Sequence, residues 1–315
     1  MSDAAQDGIQ NRFYLALVGL WAVVLAAQRF SKVSVAYGDF AVALALSAAL
    51  AIIGWVMRRR GYLLLSAVAS LFAGLYLVLL PMIMANYMAM SFNRPLADDF
   101  LAALDAGLGF DWLAYIRFVD GLPWLADAFT LAYSSFTIQL LIVPLLLLLL
   151  FRDSRRAHAF IIAYALFTLI AAAIAIWFPA HGTYLYYGYD GSEFANLNTV
   201  FAFEFFDHFV AVRASDSFHI ELGSVSGILT FPSVHAGVAY LAIWATWPYR
   251  LLRYPFFIVN LAMALATVSN ANHYFIDALA SIPLALITVL AVRRIMAMKS
   301  DRLSVPLAGP LVPAR

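Results

Sequence analysis

Cysteine is absent from this chain of 315 residues, and charged residues make up only 12% of it. The lack of thiols excludes disulfide bridges and thiolate catalysis. The formal net charge of +1 offers no basic surface of the kind that nucleic-acid binding needs, so we expect no nucleic-acid partner. Hydrophobic residues make up 64% of the chain and the mean hydropathy is +0.87, which is typical of a polytopic membrane protein.

Long apolar runs predict an all-α fold, a polytopic integral membrane helix bundle with about eight transmembrane helices. The predicted spans are residues 13–27, 40–57, 62–85, 128–151, 157–178, 228–247, 254–271 and 274–292. The first run could be the core of a signal peptide, but Asp3 and Asp7 ahead of it favour a retained helix.

Composition divides the chain into four predicted parts. Residues 1–92 hold the N-terminal transmembrane helices. Residues 93–127 mix aspartates with aromatic residues, as short helices at a membrane interface do. Residues 128–292 form a transmembrane core that includes the long polar segment 179–232, and residues 293–315 form a tail that is basic and then proline-rich.

The basic residues favour one orientation of the predicted spans. If the N-terminus is cytoplasmic and eight spans alternate, 14 of the 19 lysines and arginines fall on the cytoplasmic side. This bias predicts a protein of the plasma or inner membrane with a cytoplasmic tail at 293–315. The segment 179–232 then lies on the extracytoplasmic face, where the sixth span begins and the seventh ends.

Two stretches at that outer face carry residues suited to catalysis. Residues 231–236 read Phe-Pro-Ser-Val-His-Ala, and residues 272–277 read Asn-His-Tyr-Phe-Ile-Asp. His273 and Asp277 are four residues apart and share a helix face, so the carboxylate can accept one ring N–H and leave the other nitrogen as a nucleophile or base. His235, on a different helix, can supply a complementary proton as general acid.

Ser233 stands where a helix N-cap is expected, and the free N–H groups of a helix start favour a phosphate. These residues suit phosphoryl transfer without a metal, and we expect no cofactor. A metal site formed by His235, His273 and Asp277 is one alternative. A transporter with a proton path along His273 and Asp277 is another, and the outer-face placement argues against it.

The two stretches resemble the motifs of the type 2 phosphatidic acid phosphatase (PAP2) superfamily. Residues 232–235 are similar to its Pro-Ser-x-His motif, and residues 273–277 are similar to its His-x-x-x-Asp motif. The similarity is tighter to the inositol phosphorylceramide synthase branch, whose motifs read much like Phe-Pro-Ser-x-His-Ala and His-Tyr-Phe-x-Asp. It extends weakly over residues 95–292, including Tyr133-Ser134-Ser135.

The resemblance implies a catalytic PAP2-like core in residues 128–292 and a role for each motif residue. It implies that His273 attacks phosphorus, that Asp277 orients it and that His235 protonates the leaving group. The Ser-Arg pair of the wider superfamily is replaced here by Ala266 and Thr267.

The Lys-x6-Arg-Pro motif of the wider superfamily survives only as Arg94-Pro95. We expect Arg213, together with Ser233, to bind the substrate phosphate in place of the missing arginine. Asp98 and Asp99 are interpreted as solvated caps of an interfacial helix.

These features predict a membrane enzyme that moves a phospho-headgroup from a phospholipid to a lipid alcohol such as ceramide or diacylglycerol. The segment 179–232 is rich in tyrosine and phenylalanine, and we expect it to cover the site. The alternative with the same residues is a lipid phosphate phosphatase that uses water as acceptor.

Overall fold

The computed structural model of the protein describes residues 3–297. These residues form α-helices and two three-residue strands, β1 (Val33–Val35) and β2 (Phe218–Ile220). The helices, in chain order, are α1 (Asp3–Gln28), α2 (Tyr37–Arg59), α3 (Leu63–Ser91), α4 (Asp98–Gly107), α5 (Trp112–Asp120), α6 (Pro123–Ser134), α7 (Phe136–Leu149), α8 (Ser154–Ala175), α9 (Thr183–Tyr187), α10 (Val200–Phe203), α11 (Phe206–Ala214), α12 (Val234–Thr246), α13 (Arg250–Asn270) and α14 (Phe275–Ile295).

Six helices in the described part of the chain are long and apolar enough to cross a membrane, namely α1, α2, α3, α8, α13 and α14. The pair α6 and α7 passes the same test together, although the two helices are bent by 62° relative to each other. The predicted helical membrane bundle is therefore confirmed. By length and composition, the candidate spans in the described chain number six, or seven with the bent pair, against about eight predicted.

The difference in the number of spans lies in the predicted span 228–247. Its helix, α12, has only 13 residues, about 20 Å of rise against a hydrocarbon core of about 30 Å. The helix cannot extend further back because Pro232 disfavours a helical conformation at the residue before it. Ser233 is extended and caps the helix instead, so α12 begins inside the first motif stretch.

The predicted fourth span is broken at Ser135, between α6 and α7. The Ser135 hydroxyl donates to the Ala132 carbonyl at 2.6 Å and accepts from Gln139 Nε2 at 2.8 Å. A serine that bonds its own backbone competes with the helical ladder and bends helices. The bend places Tyr133 and Phe136 at a corner near the motif stretches.

The connections of the bundle alternate between two ends. We call the end that carries the starts of α12 and α14 the motif end; α4, α5 and the segment 179–232 also lie there. The opposite, basic end carries the arginines Arg58, Arg59, Arg60, Arg152, Arg155, Arg156, Arg250, Arg253, Arg293 and Arg294. At this basic end, the α7–α8 and α12–α13 connections are joined by a hydrogen bond. The Tyr249 hydroxyl donates to Asp153 Oδ2 at 2.6 Å.

α8 lies at the centre of the bundle and packs against α1, α3, α7, α12 and α14. Its apolar side chains, such as Phe160 and Phe167, are fully buried in the main hydrophobic core. Gly237 of α12 allows the closest approach, because a Cβ at this position would overlap the Phe167 ring. This packing fixes the helix that carries His235.

The segment 179–232 is ordered over α8 and α3 at the motif end and contains α9, α10, α11 and β2. The parallel pairing of β1 with β2 joins this segment to the α1–α2 connection, with Val33 opposite Phe218 and Val35 opposite Ile220. The two strands are too short to be predicted from the sequence. They attach the N-terminal helices to the segment that covers the motif end.

Candidate active site

His273 and Asp277 form the predicted hydrogen-bonded pair, but they do not share a helix face. Tyr274 is the extended N-cap of α14, so His273 precedes the helix, and Asp277 in the first turn reaches back to it. The His273 Nδ1 atom lies 3.0 Å from Asp277 Oδ2, and the same oxygen accepts from the Tyr274 backbone N–H at 3.0 Å. Both side chains are buried. Because an ionised carboxylate only accepts, the hydrogen of the neutral ring is on Nδ1 and the lone pair is on Nε2.

Ser233 connects the two motif stretches. Its hydroxyl lies 3.2 Å from His273 Nε2 and accepts from the Ala236 N–H at 3.3 Å, as the predicted N-cap of α12 does. The backbone of the two stretches is also joined, because Ser281 Oγ contacts the carbonyl oxygens of Ser233 and Asp277 at 2.9 and 2.8 Å. The two stretches therefore form one unit.

Aromatic rings hold His235 in place. Its ring stacks on Tyr133 with centroids 4.3 Å apart and an interplanar angle of 10°, and it lies 4.1 Å from the Phe136 ring. The Tyr133 hydroxyl is 3.5 Å from His235 Nδ1. Sequence reasoning did not place Tyr133 in the site, although the stretch Tyr133-Ser134-Ser135 lies in the region of weak similarity.

His235 and His273 line the same cavity, which has a volume of about 320 Å³. Its walls come from α3, α7, α8, α12 and the segments around residues 201–205 and 225–229. Among the described residues, the polar ones that line it are Asn86, Tyr133, Thr137, Tyr164, Thr168, Ser226, His235, Asn272 and His273. Phe201 and Phe205 of the covering segment also line the cavity, so this segment closes over the two histidines.

Two aspartates of α4 hold the second motif stretch in place. The Asp105 carboxylate accepts from the backbone N–H groups of Phe275 and Ile276, each at 2.8 Å, and so caps the start of α14. Burial raises the pKa of Asp105 above its usual value, and these two hydrogen bonds act in the opposite direction. Sequence reasoning missed Asp105 because nothing local indicates that α4 packs against α14.

The interpretation of Asp98 as a solvated cap is wrong. The Asp98 side chain is 6% exposed and accepts from the Tyr274 hydroxyl at 2.8 Å and from the backbone N–H groups of His181 and Gly182. Asp99, in contrast, is exposed and bonds the Tyr186 hydroxyl. Asp98 and Asp105 are seven residues apart on α4 and therefore face the same side of it. That spacing predicts a shared face of α4, but it does not indicate that this face packs against α14.

Gly182 lets the covering segment approach the second motif stretch closely. Its φ is +89°, and a Cβ at this position would overlap the backbone and side chain of Asn272. The Thr183 N–H donates to the Asn272 carbonyl at 3.0 Å, and Asn272 Nδ2 donates to the His181 carbonyl at 2.7 Å. Only glycine fits here without strain.

Arg213, predicted to bind phosphate, is not among the residues that line this cavity. It lies in the last turn of α11, donates to the Arg94 carbonyl at 2.8 Å and stacks over Phe209. Partial burial lowers the pKa of Arg213, and the nearby Asp98 charge acts in the opposite direction. Arg94 lies over the Trp177 ring at 4.4 Å. The two arginines are neighbours at the motif end, outside the cavity of the histidines.

Within residues 3–297, no group of three or more histidine, aspartate or glutamate side chains is arranged to hold a metal ion. His235 approaches His273 through the shared cavity, while Asp277 lies behind His273 and bonds only its Nδ1 side. The arrangement supplies one nitrogen lone pair at His273 and a second imidazole across the cavity. It is suited to nucleophilic attack coupled to proton transfer.

Comparison with known families matches residues 99–291 to the PAP2 superfamily, a match that spans more than half of the chain and includes both motif stretches. The chain belongs to the PAP2 superfamily. It is an integral membrane enzyme with a phosphatase or phosphotransferase domain that acts on lipid phosphates. No curated protein and no solved structure gives a significant match.

Proposed function

We propose that the enzyme transfers a phospho-headgroup from a phospholipid to a lipid alcohol, with His273 as the nucleophile. The observation that carries the proposal is the pairing of His273 Nδ1 with Asp277 at 3.0 Å, with Nε2 directed to Ser233. His273 itself lines the cavity that His235 shares. Asp277 fixes the tautomer of His273 and stabilises the positive charge that develops on its ring.

In the first step, the Nε2 lone pair of His273 forms a bond to phosphorus. The bond between phosphorus and the diacylglycerol oxygen breaks, and His235 gives that oxygen its proton. In the second step, the hydroxyl of the acceptor lipid attacks phosphorus and gives its proton to His235. The bond between phosphorus and His273 breaks, so both histidines return to their starting states.

For phosphate binding, we propose that Ser233 and the start of α12 hold the phosphate oxygens. The N–H groups of the first turn of α12 point towards the motif end, and the helix dipole favours an anion there. The Ser233 hydroxyl, which bonds His273 Nε2 in this structure, moves to the phosphate when the substrate binds. Arg213, with Arg94 beside it, attracts the phosphate at the motif end before it enters the cavity.

The aromatic side chains of the segment 179–232 favour the hypothesis of transfer over that of hydrolysis. Phe201 and Phe205 line the cavity, and Phe136 packs against His235. A transferase must keep water away from the phosphohistidine while a second lipid enters, and apolar walls serve this purpose. Within the superfamily we propose the inositol phosphorylceramide synthase branch, on the strength of the motifs at 231–236 and 273–277. Ceramide or diacylglycerol is then the acceptor.

We also propose that the site lies on the extracytoplasmic face of the plasma or inner membrane. The arginines of the basic end lie opposite the motif end. Cytoplasmic segments carry the excess of basic residues in membrane proteins. The donor lipid then comes from the outer leaflet.

The test is to incubate the purified enzyme with a headgroup-labelled phospholipid, with and without ceramide or diacylglycerol. We expect a new labelled lipid with ceramide, or with a diacylglycerol whose acyl chains differ from those of the donor, and a loss of at least about a hundredfold in His273→Ala. Release of the free phosphorylated headgroup as the only product, with both acceptors present, would establish the phosphatase alternative. Activity of His273→Ala close to that of the parent would remove His273 from its role as nucleophile.

A further inference from the structure

The catalytic cavity has one wall that the superfamily match does not include. The match begins at residue 99, in α4. Ile83 and Asn86 of α3 nevertheless line the cavity together with His235 and His273. α3, one of the N-terminal helices, is therefore part of the cavity wall as well as of the bundle.

Asn86 is the polar residue in this wall. Its carbonyl oxygen is buried and has no hydrogen-bond partner among residues 3–297. A buried carbonyl oxygen without a partner costs free energy, and polar groups in a membrane helix usually serve a function. The next residue shows the contrast, because the Tyr87 hydroxyl bonds His208 at 2.9 Å and accepts from the Ser226 N–H at 3.0 Å.

The charge of the cavity limits what Asn86 can bind. No lysine or arginine of the described chain lines the cavity, and apart from the histidines its polar groups are hydroxyls and amides. An amide both donates and accepts, and this suits a hydroxyl group, whereas a second anionic group would need cations. The wall formed by α3 therefore suits an uncharged alcohol.

We infer that Asn86 belongs to the acceptor subsite, where it binds the hydroxyl-bearing end of the lipid alcohol. Tyr87 supports this subsite by holding Ser226, which lines the same cavity. The inference rests on the proposed transfer reaction and deepens it. It gives the N-terminal helices a role in choosing the acceptor.

The test compares Asn86→Leu and Asn86→Ala with the parent in the labelled-donor assay, with the acceptor and donor concentrations varied separately. We expect the KM for the acceptor to rise about tenfold more than the KM for the donor, and the ratio of transferred to hydrolysed product to fall about tenfold. The leucine variant removes the amide at similar volume, and the alanine variant serves if leucine prevents folding.

Asn260→Leu is the matched control, because Asn260 of α13 is also buried with an unpartnered carbonyl oxygen but does not line the cavity. Its product ratio should equal that of the parent. If the parent transfers the headgroup but the Asn86 variants change the KM for acceptor and donor equally, or change neither, the inference is wrong. A parent that transfers to no alcohol would refute the proposed function and the acceptor subsite together, and this outcome is visible in the parent alone.

Discussion

Each ring nitrogen of His273 has its own partner, Asp277 at Nδ1 and Ser233 at Nε2. Asp277→Asn tests the first of these. An asparagine oxygen still accepts from the Tyr274 N–H, so the start of α14 stays folded, but the amide no longer stabilises a positive imidazole. We expect kcat to fall about 10² to 10⁴-fold. The measurement is the initial rate with labelled donor, and Asp207→Asn, at an exposed site on α11, is the control. A loss of less than tenfold would contradict the role of Asp277.

For single residues, the sequence predicts the contacts between positions that lie close together in the chain. His273 and Asp277 pair because Asp277, in the first turn of α14, reaches back past the N-cap Tyr274 to the residue before it. Ser233 caps α12 because it precedes an apolar helix. Tyr133 and Asp105 were not predicted, since each reaches the site from another helix through tertiary packing. No local pattern encodes such contacts without homologous sequences.

Among the helices, α4 stabilises the start of α14 through the Asp105 carboxylate, which accepts from two backbone N–H groups there. Asp105→Asn keeps one acceptor oxygen and leaves one of the N–H groups of Phe275 and Ile276 without a partner. We expect a loss of about 1–3 kcal/mol in the free energy of unfolding. We also expect kcat to fall more than KM rises, because His273 moves relative to the phosphate.

Asp99→Asn is the control for Asp105→Asn, since Asp99 lies on the same helix but is exposed. Thermal unfolding in detergent and steady-state kinetics are the two measurements. A stability loss with unchanged kcat would show that Asp105 supports only the fold.

The predicted elements differ from the structure where polar residues interrupt an apolar run. The run at 128–151 is apolar enough for one span, but the serine at 135 bends it into α6 and α7. The run at 228–247 is shortened because Pro232 and Ser233 start the helix late. Hydropathy averages over such positions, whereas capping and backbone geometry depend on each of them.

For the whole molecule, the orientation in the membrane can be tested directly because the chain has no cysteine. Ser192→Cys is exposed at the motif end, and Arg60→Cys is exposed at the basic end. With an impermeant thiol reagent on intact cells, we expect labelling of Ser192→Cys only, and labelling of both variants after lysis. Labelling of Arg60→Cys alone would place the active site on the cytoplasmic side.

β1 leaves the ribosome long before its partner strand exists. Ser34 of β1 contacts His219 beside it in the finished sheet, and 185 positions separate the two residues. At about 5–20 residues per second, the nascent chain waits roughly 10 to 40 seconds for this pairing. Throughout that time β1 presents an open strand edge of the kind that invites wrong partners. The sheet can form only once β2 has been made, and the cavity is complete only after His235 and His273 have followed.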